Sequence, residues 1–345
     1  MRTDSAPQEA GFRIGTSSSS LTYATVYTED ILSGASGSFT ADVTSLSPST
    51  TYYYQAFMTV SDGNGGYTEI TSTSTGSFVT SSHINSGTPQ WMELPALSSM
   101  TEGTFYAHDL SGAEYINKTT SSHRNWSCYW SSTHKVSYWV AYPMFDEVNE
   151  KNVTRKDAFK YDPIVPQADQ PNIGSNTYAD SHSYSYSRGH QIPSSDRLSS
   201  TEVNKTTFYT TNMTPQIQSF NGGIWNNLET AVNSWAQASD TLYVVTGCIV
   251  DNNCWTTTDL SGNVTVTVPS HYYKALLRVK NGTYTGCAFY LDHFGTYSNG
   301  GTNYETGRKT IDQLETITGI DFFPNLISKV GSSQAATIES TSTSW

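Results

Sequence analysis

The segment Tyr186-Ser187-Arg188-Gly189-His190-Gln191-Ile192-Pro193 sets a guanidinium and an imidazole on either side of a glycine. Arg offers a planar fork that matches phosphate oxygens. A neutral His takes up a proton near pH 7. Gly lets the backbone turn sharply or approach a ligand closely. Alone, such a triplet is usually a surface turn, so the chemistry needs a second group. Further on, Thr211-Asn212-Met213-Thr214-Pro215-Gln216 leads into Phe220-Asn221-Gly222-Gly223-Ile224-Trp225-Asn226-Asn227-Leu228-Glu229. Asn221 reads either as a plain helix cap or as an amide-oxygen ligand. An amide oxygen plus waters suits a hard cation such as Mg²⁺, which needs few protein ligands.

These groups need elements to hold them. Ile224, Trp225, Leu228, Val232 and Trp235 fall at helical spacing, which predicts a helix over about 222–236 with Asn221 at its start. Glu229 lies eight residues past Asn221, near the same side at ~100° per residue. Strands are expected at Val136-Ser137-Tyr138-Trp139-Val140-Ala141-Tyr142, Leu242-Tyr243-Val244-Val245-Thr246-Gly247, Val264 to Val268, His271 to Val279 and Gly286 to Leu291. The Leu242 run is almost wholly apolar, so it should be central and buried on both faces. A second helix fits Thr310 to Thr318. The pattern predicts an α+β domain over 96–330, with a central sheet and few helices.

Residues 1–80 read as a separate small all-β module. Tyr52, Tyr54, Ala56 and Met58 alternate with polar residues, and Asp62-Gly63-Asn64-Gly65-Gly66 is a hairpin turn. Phe78-Val79-Thr80 would be its last strand. Residues 81–95 read as a linker and 331–345 as a disordered tail.

Arg-Gly-His, then Asn-x-Thr-Pro-Gln, then Asn-x-Gly-x-Trp-x-x-Leu-Glu resembles the DNA/RNA non-specific endonuclease family, of the ββα-metal class. Tyr138 to Tyr142, Leu242 to Gly247, Val268-Pro269-Ser270-x-Tyr272-x-Lys274 and Ile311-Asp312-Gln313-Leu314-Glu315-x-x-Thr318-Gly319 are similar to further family elements, in order, over roughly 100–325. The resemblance implies a role for each residue. His190 would be the general base that activates water. Asn221 would be the one direct protein ligand of Mg²⁺, with Mn²⁺ or Ca²⁺ as substitutes in binding. Glu229 would hold the water shell of the ion. Asn212 would orient groups around the scissile phosphate. Arg188 would support the phosphate or the site geometry, and Arg155 would stabilise transition-state charge. The chain departs from the family at Ser187, where an Asp is usual, and at Asn233, where the family's bacterial secreted enzyme has an Arg. In the front module, Leu46-x-Pro48-x-Thr50-x-Tyr52 resembles a fibronectin type III or Ig-like β-sandwich, a spacer or docking module whose partner is unknown.

Composition sets limits on these readings. The 345 residues carry a net charge of -12, which argues against a broad basic surface wrapping a duplex. It leaves room for an enzyme that meets a DNA or RNA backbone through one metal ion and a few Arg. Contacts to the backbone alone would read no base, so sequence preference would be low. Apolar residues make up only 36%, with aromatics at 13% supplying core area. No stretch reaches the ~20 apolar residues of a membrane span.

Four cysteines in a Ser/Thr/Tyr-rich chain suggest two disulfides and an oxidising compartment. The short loop favours Cys248 with Cys254, leaving Cys128 with Cys287. The other reading is four buried thiols. A secreted, periplasmic or cell-surface chain would have lost its leader, since no apolar run follows Met1-Arg2-Thr3-Asp4. The rival reading from another class is an adhesin or carbohydrate-binding protein with an inactive nuclease-like domain. A further rival is a phosphodiesterase for small diesters. Scattered His182, His271 and His293 lack ligand spacing for zinc.

Overall fold

The computed structural model describes residues 7–28, 51–64, 66–79, 91–110, 124–174, 177–297 and 303–345. The chain divides into two compact units, Met1–Thr88 and Pro89–Trp345.

The first unit contains β1 (Pro7–Ser17), β2 (Ser20–Thr28), β3 (Thr51–Ser61), β4 (Tyr67–Thr71) and β5 (Gly76–Val79). They form one antiparallel sheet in the order β2-β1-β3-β4, and β5 pairs with the opening residues of β3. The turn at Asp62 forms as expected. Its carboxylate accepts the N–H groups of Asn64 and Gly66, and Gly63 takes φ 77°. Among the described residues there is a single sheet rather than a sandwich. Leu46, Pro48 and Thr50, which carry the fibronectin-like corner, lie outside the described residues.

The second unit is built on a seven-stranded antiparallel sheet. Its strands are β6 (Thr104–Asp109), β7 (Arg124–Ser131), β8 (Val136–Met144), β11 (Thr241–Ile249), β14 (His271–Lys280), β15 (Thr283–Asp292) and β16 (Arg308–Lys309). The order is β16-β15-β14-β11-β8-β7-β6. β11 is central and buried on both faces. Leu242 and Val244 point into one core, and Val245 into the other. One face carries the short pair β9 (Tyr186–His190) and β10 (Met213–Ile217) with the helix that follows. The other face carries the helix Ile311–Thr318, capped by Thr310, together with Phe322, Phe323 and Leu326. A further two-stranded ribbon joins β12 (Trp255–Thr258) to β13 (Thr265–Val268). This is the α+β architecture expected, with an antiparallel sheet and few helices.

Three expectations are corrected. The linker does not extend to residue 95. Met92, Glu93 and Leu94 are buried in the second unit, and Arg124 grips Glu93 through two bonds of 2.6 and 3.2 Å. Residues 331–345 are not disordered. Ser332–Glu339 is a helix that buries Ala335 and Ile338. Beyond it, the Trp345 indole donates to Thr285, and its carbonyl accepts from the Trp235 indole at 3.0 Å. The Ser/Thr richness concealed these few apolar anchors.

The third correction concerns the cysteines, all four of which are free. Cys128 on β7 and Cys287 on β15 are four strand steps apart, roughly 19 Å at about 4.8 Å per step. A disulfide needs Cα atoms within about 7 Å. Cys248 and Cys254 instead turn their thiols to the backbone carbonyls of Ser137 and Ile249.

Candidate active site

β9 ends on His190, which pairs with Met213 at the start of β10. β10 then runs directly into a helix of three parts: Gln218–Phe220, a wider turn at Asn221–Trp225 with a kink at Gly223, and Asn226–Gln237. The helix starts four residues earlier than its apolar pattern suggests. Asn221 is therefore inside it, with helical φ -59° and ψ -50°, and does not cap it. Leu228, Val232 and Ala236 fix the inner face of the helix on the sheet. Asn221, Asn226 and Glu229 face a cleft of about 350 Å³ that His190, Arg188 and Arg155 also line. Imidazole and amide thus meet across one cavity.

Gly189 is required by packing. A Cβ there would lie 2.4–2.5 Å from the buried Gln216 side chain across the β9–β10 pair. The Arg-Gly-His spacing keeps the two chains close enough to aim both flanking side chains at the cleft.

His190 is buried, edge-on to Phe208 and Phe159 at 5.1 and 6.0 Å. Burial, reinforced by the Arg155 and Arg188 cations, pushes its pKa down to about 3. The ring is therefore neutral at pH 7. The Arg188 backbone bonds the ring, while Nε2 has no partner. The Nε2 lone pair is free to take a proton, but burial and the two cations keep its basicity low; an anionic phosphate in the cleft would oppose the cations and raise it.

The cations are held in place. Arg188 donates to the carbonyls of Ile173 and Gly174 at 3.0 Å and stacks on Phe159, 3.4 Å from the ring centroid. Arg155 lies over Phe208 at 4.9 Å and pairs with exposed Asp157 at 2.7 Å. Arg155 lines the cleft.

Glu229 has a buried carboxylate oxygen, Oε1, without a partner. Burial and neighbouring Asp196 raise its pKa, and Lys274 opposes them. The Asn221 side chain makes no hydrogen bond among the described residues. A carboxylate and an amide oxygen left open in one cleft fit a hard divalent cation. Among the described residues, no three His, Cys, Asp or Glu cluster to hold an ion. An ion here would draw most of its shell from water.

Asn212 is placed differently from expectation. It is fully buried, and its amide accepts from Ile192 N–H and donates to the carbonyls of Ile192 and Thr207 at 2.7–2.9 Å. Both of its N–H donors go to bracing the chain around His190, and neither is left for a phosphate.

Sequence reading missed two buried charges. Lys274, on β14, is fully buried, donates to Thr246 at 2.7 Å and lies 4.6 Å over Trp225. Its signal was available: a lone Lys among Tyr272, Tyr273, Ala275, Leu276 and Leu277 on a central strand has no route to solvent. Asp196 accepts from Tyr142 at 3.2 Å and Asn233 at 2.8 Å. Nothing in its local sequence marks it.

A family model described as DNA/RNA non-specific endonuclease matches residues 105–329, which include every one of these groups. The chain belongs to the DNA/RNA non-specific endonuclease family.

It is 30% identical over 181 residues to the mitochondrial nuclease EXOG of Danio rerio, covering 50% of this chain and 49% of that one. It is 31% identical over 189 residues to Nuclease C1 of Cunninghamella echinulata var. echinulata, covering 52% and 71%. The chain spans about half the length of the first curated relatives it matches. A solved structure titled as an EndoG/EndoGI complex aligns with TM-score 0.48 at 20% identity, over 60% of this chain and 85% of that one. In this family member Asn233 gives its amide to Asp196, and the cleft's cations are Arg155 and Arg188. Ser187 ties β9 to the helix by donating to Gln218.

The three histidines weighed above for zinc do other work. His182 stacks on Trp255, and His271 on Tyr290. His293 is buried, its Nδ1 donating to the Pro269 carbonyl at 2.7 Å and its Nε2 accepting from Ile217 N–H at 2.8 Å. That pair of bonds requires the neutral ring, and burial pushes its pKa down to about 4. The sign follows: below about pH 6.5 the unfolded chain binds a proton that folded His293 refuses, so stability falls as pH falls towards 4. By pH 5 this amounts to roughly 2 kcal/mol. His293→Gln keeps a donor and an acceptor but does not titrate. Urea unfolding should show the gap between wild type and this variant narrowing by about that amount from pH 7 to pH 5. A constant gap would mean that His293 is not held neutral.

Proposed function

We propose that the chain is a divalent-metal-dependent endonuclease that hydrolyses DNA and RNA phosphodiesters with little sequence preference. The observation that carries this reading is a neutral imidazole with a free Nε2, sharing one cleft with two open oxygens and two guanidinium groups. His190 takes the proton of the attacking water at Nε2. Asn221 would hold Mg²⁺ directly, and Glu229 would order the waters around it. A bound Mg²⁺ supplies charge neutralisation on the phosphoryl group. Arg155 and Arg188 add fixed positive charge at the same place. Asn212 acts as a positioning residue, keeping the loop after His190 in register. None of these groups recognises a base edge, so backbone contacts set the low selectivity.

The test is digestion of plasmid DNA and of ribosomal RNA with Mg²⁺, then with excess EDTA, then with Mg²⁺ restored. Cleavage of both polymers should stop with the chelator and return with the ion. Cleavage untouched by EDTA would overturn the metal assignment, and inert protein would overturn the enzyme.

Trp126, Trp130, Trp139 and Trp225 are buried in the core of the second unit, so these four rings offer no adhesive surface. With the four thiols free, cysteine chemistry gives no argument for secretion. Among the described residues no helix is long and apolar enough to cross a membrane.

A further inference from the structure

Beside the cleft that holds His190 lies a larger cavity of about 550 Å³. Gly222 lines both. The second cavity sits at the other end of the β9–β10 pair, where Tyr184 precedes β9 and Ile217 closes β10. Phe294 and Tyr297, from the loop after β15, complete its wall. Its size falls in the range of ligand sites, about 300–1,000 Å³.

The two cavities differ in chemistry. The first contains Arg155, Arg188 and Glu229. The second has no Asp, Glu, Lys or Arg among its described lining residues. His293, which also lines it, is held neutral by its two backbone bonds. What remains is aromatic rings, the Ser219 and Thr296 hydroxyls and the Gln218 amide. Such a wall brings no positively charged side chain to a phosphate. It suits a flat heteroaromatic ring, which stacks on aromatic side chains and meets hydroxyl or amide groups at its edge.

The rings are fixed in advance. Tyr184 stacks on Trp255 at 5.6 Å and 26°, and Trp255 stacks on Phe294 at 3.9 Å and 15°. The Tyr297 hydroxyl donates to the Asp292 carbonyl. A preset aromatic wall loses little freedom when a ring settles against it.

We infer that this cavity receives an unpaired nucleobase of the strand being cleaved, next to the phosphate in the charged cleft. The inference rests on the nuclease reading above and adds a substrate form to it. A base inside a duplex must first leave its stack, whereas a base in a single strand need not. Single strands should therefore bind better. Stacking accepts every base, because each has a π-face, so the cavity adds affinity without adding sequence preference.

The test compares Tyr184→Ala and Tyr184→Phe with wild type on two substrates. One is a single-stranded oligonucleotide, and the other is methyl p-nitrophenyl phosphate, a diester with no base. Tyr184→Ala should raise KM for the oligonucleotide about tenfold, the size expected when one base–aromatic stack is lost. It should leave turnover of the base-free diester unchanged, and Tyr184→Phe should behave as wild type on both. An unchanged KM for the oligonucleotide overturns the inference. So does a parallel loss on both substrates, which would make the ring merely a support of the fold. Wild-type protein inert on both would overturn the nuclease reading and this inference with it.

Discussion

Replacing His190 by Ala should lower kcat on plasmid DNA by about 10²–10⁴-fold, the range for loss of a positioned general base. The ring has no bonding partner at Nε2, so no hydrogen bond of the fold is lost there. What is lost is the bond to the Arg188 backbone and edge-on packing against Phe159 and Phe208, which costs some stability but leaves the helix bearing Asn221 on its own anchors. Far-ultraviolet circular dichroism and Mg²⁺ titration of the variant should therefore match wild type. Near-normal turnover would remove His190 from the mechanism. The acid limb of wild-type activity should not show the usual histidine midpoint near 6.5. Burial and two cations hold the free ring neutral down to about pH 3.

Asn221→Ala should act on the ion rather than on the proton. The amide has no bond to the rest of the fold among the described residues, and it already sits inside the helix, where Ala is the better helix former. Folding should be unharmed or slightly favoured. The Mg²⁺ concentration for half-maximal cleavage should rise by at least about tenfold, the size seen when even an outer partner of a metal ligand is removed. Excess Mg²⁺ should restore part of the rate, because Glu229 and its open oxygen remain. Unchanged metal dependence would rule out Asn221 as the ligand. Read together, the two variants separate base from ligand, since one changes turnover at saturating ion and the other changes the ion needed.

Much of this cleft is legible in the sequence. His190, Asn221 and Glu229 are close along the chain because a strand pair and the helix that follows it form one local unit, so their spacing records their geometry. The central strands were legible for a similar reason, as the apolar run at Leu242 has only one place in a sheet covered on both faces. Groups held by long-range contacts left weaker traces. Asp196 meets Tyr142 and Asn233 from distant parts of the chain, and no local pattern foretells that meeting. Cysteine pairing failed because loop length says nothing about strand order, and strand order sets Cys128 and Cys287 far apart. The tail failed because composition averages over a segment, whereas Ala335, Ile338 and Trp345 anchor it singly.

Asn212 carries a practical lesson for anyone scanning this protein by mutagenesis. Its amide staples Ile192 and Thr207 together two residues beyond the imidazole. Truncating it would misplace the base without touching any reacting atom. A screen scored on lost cleavage alone would rank it beside His190, although one lesion removes the tool and the other loosens the hand that holds it.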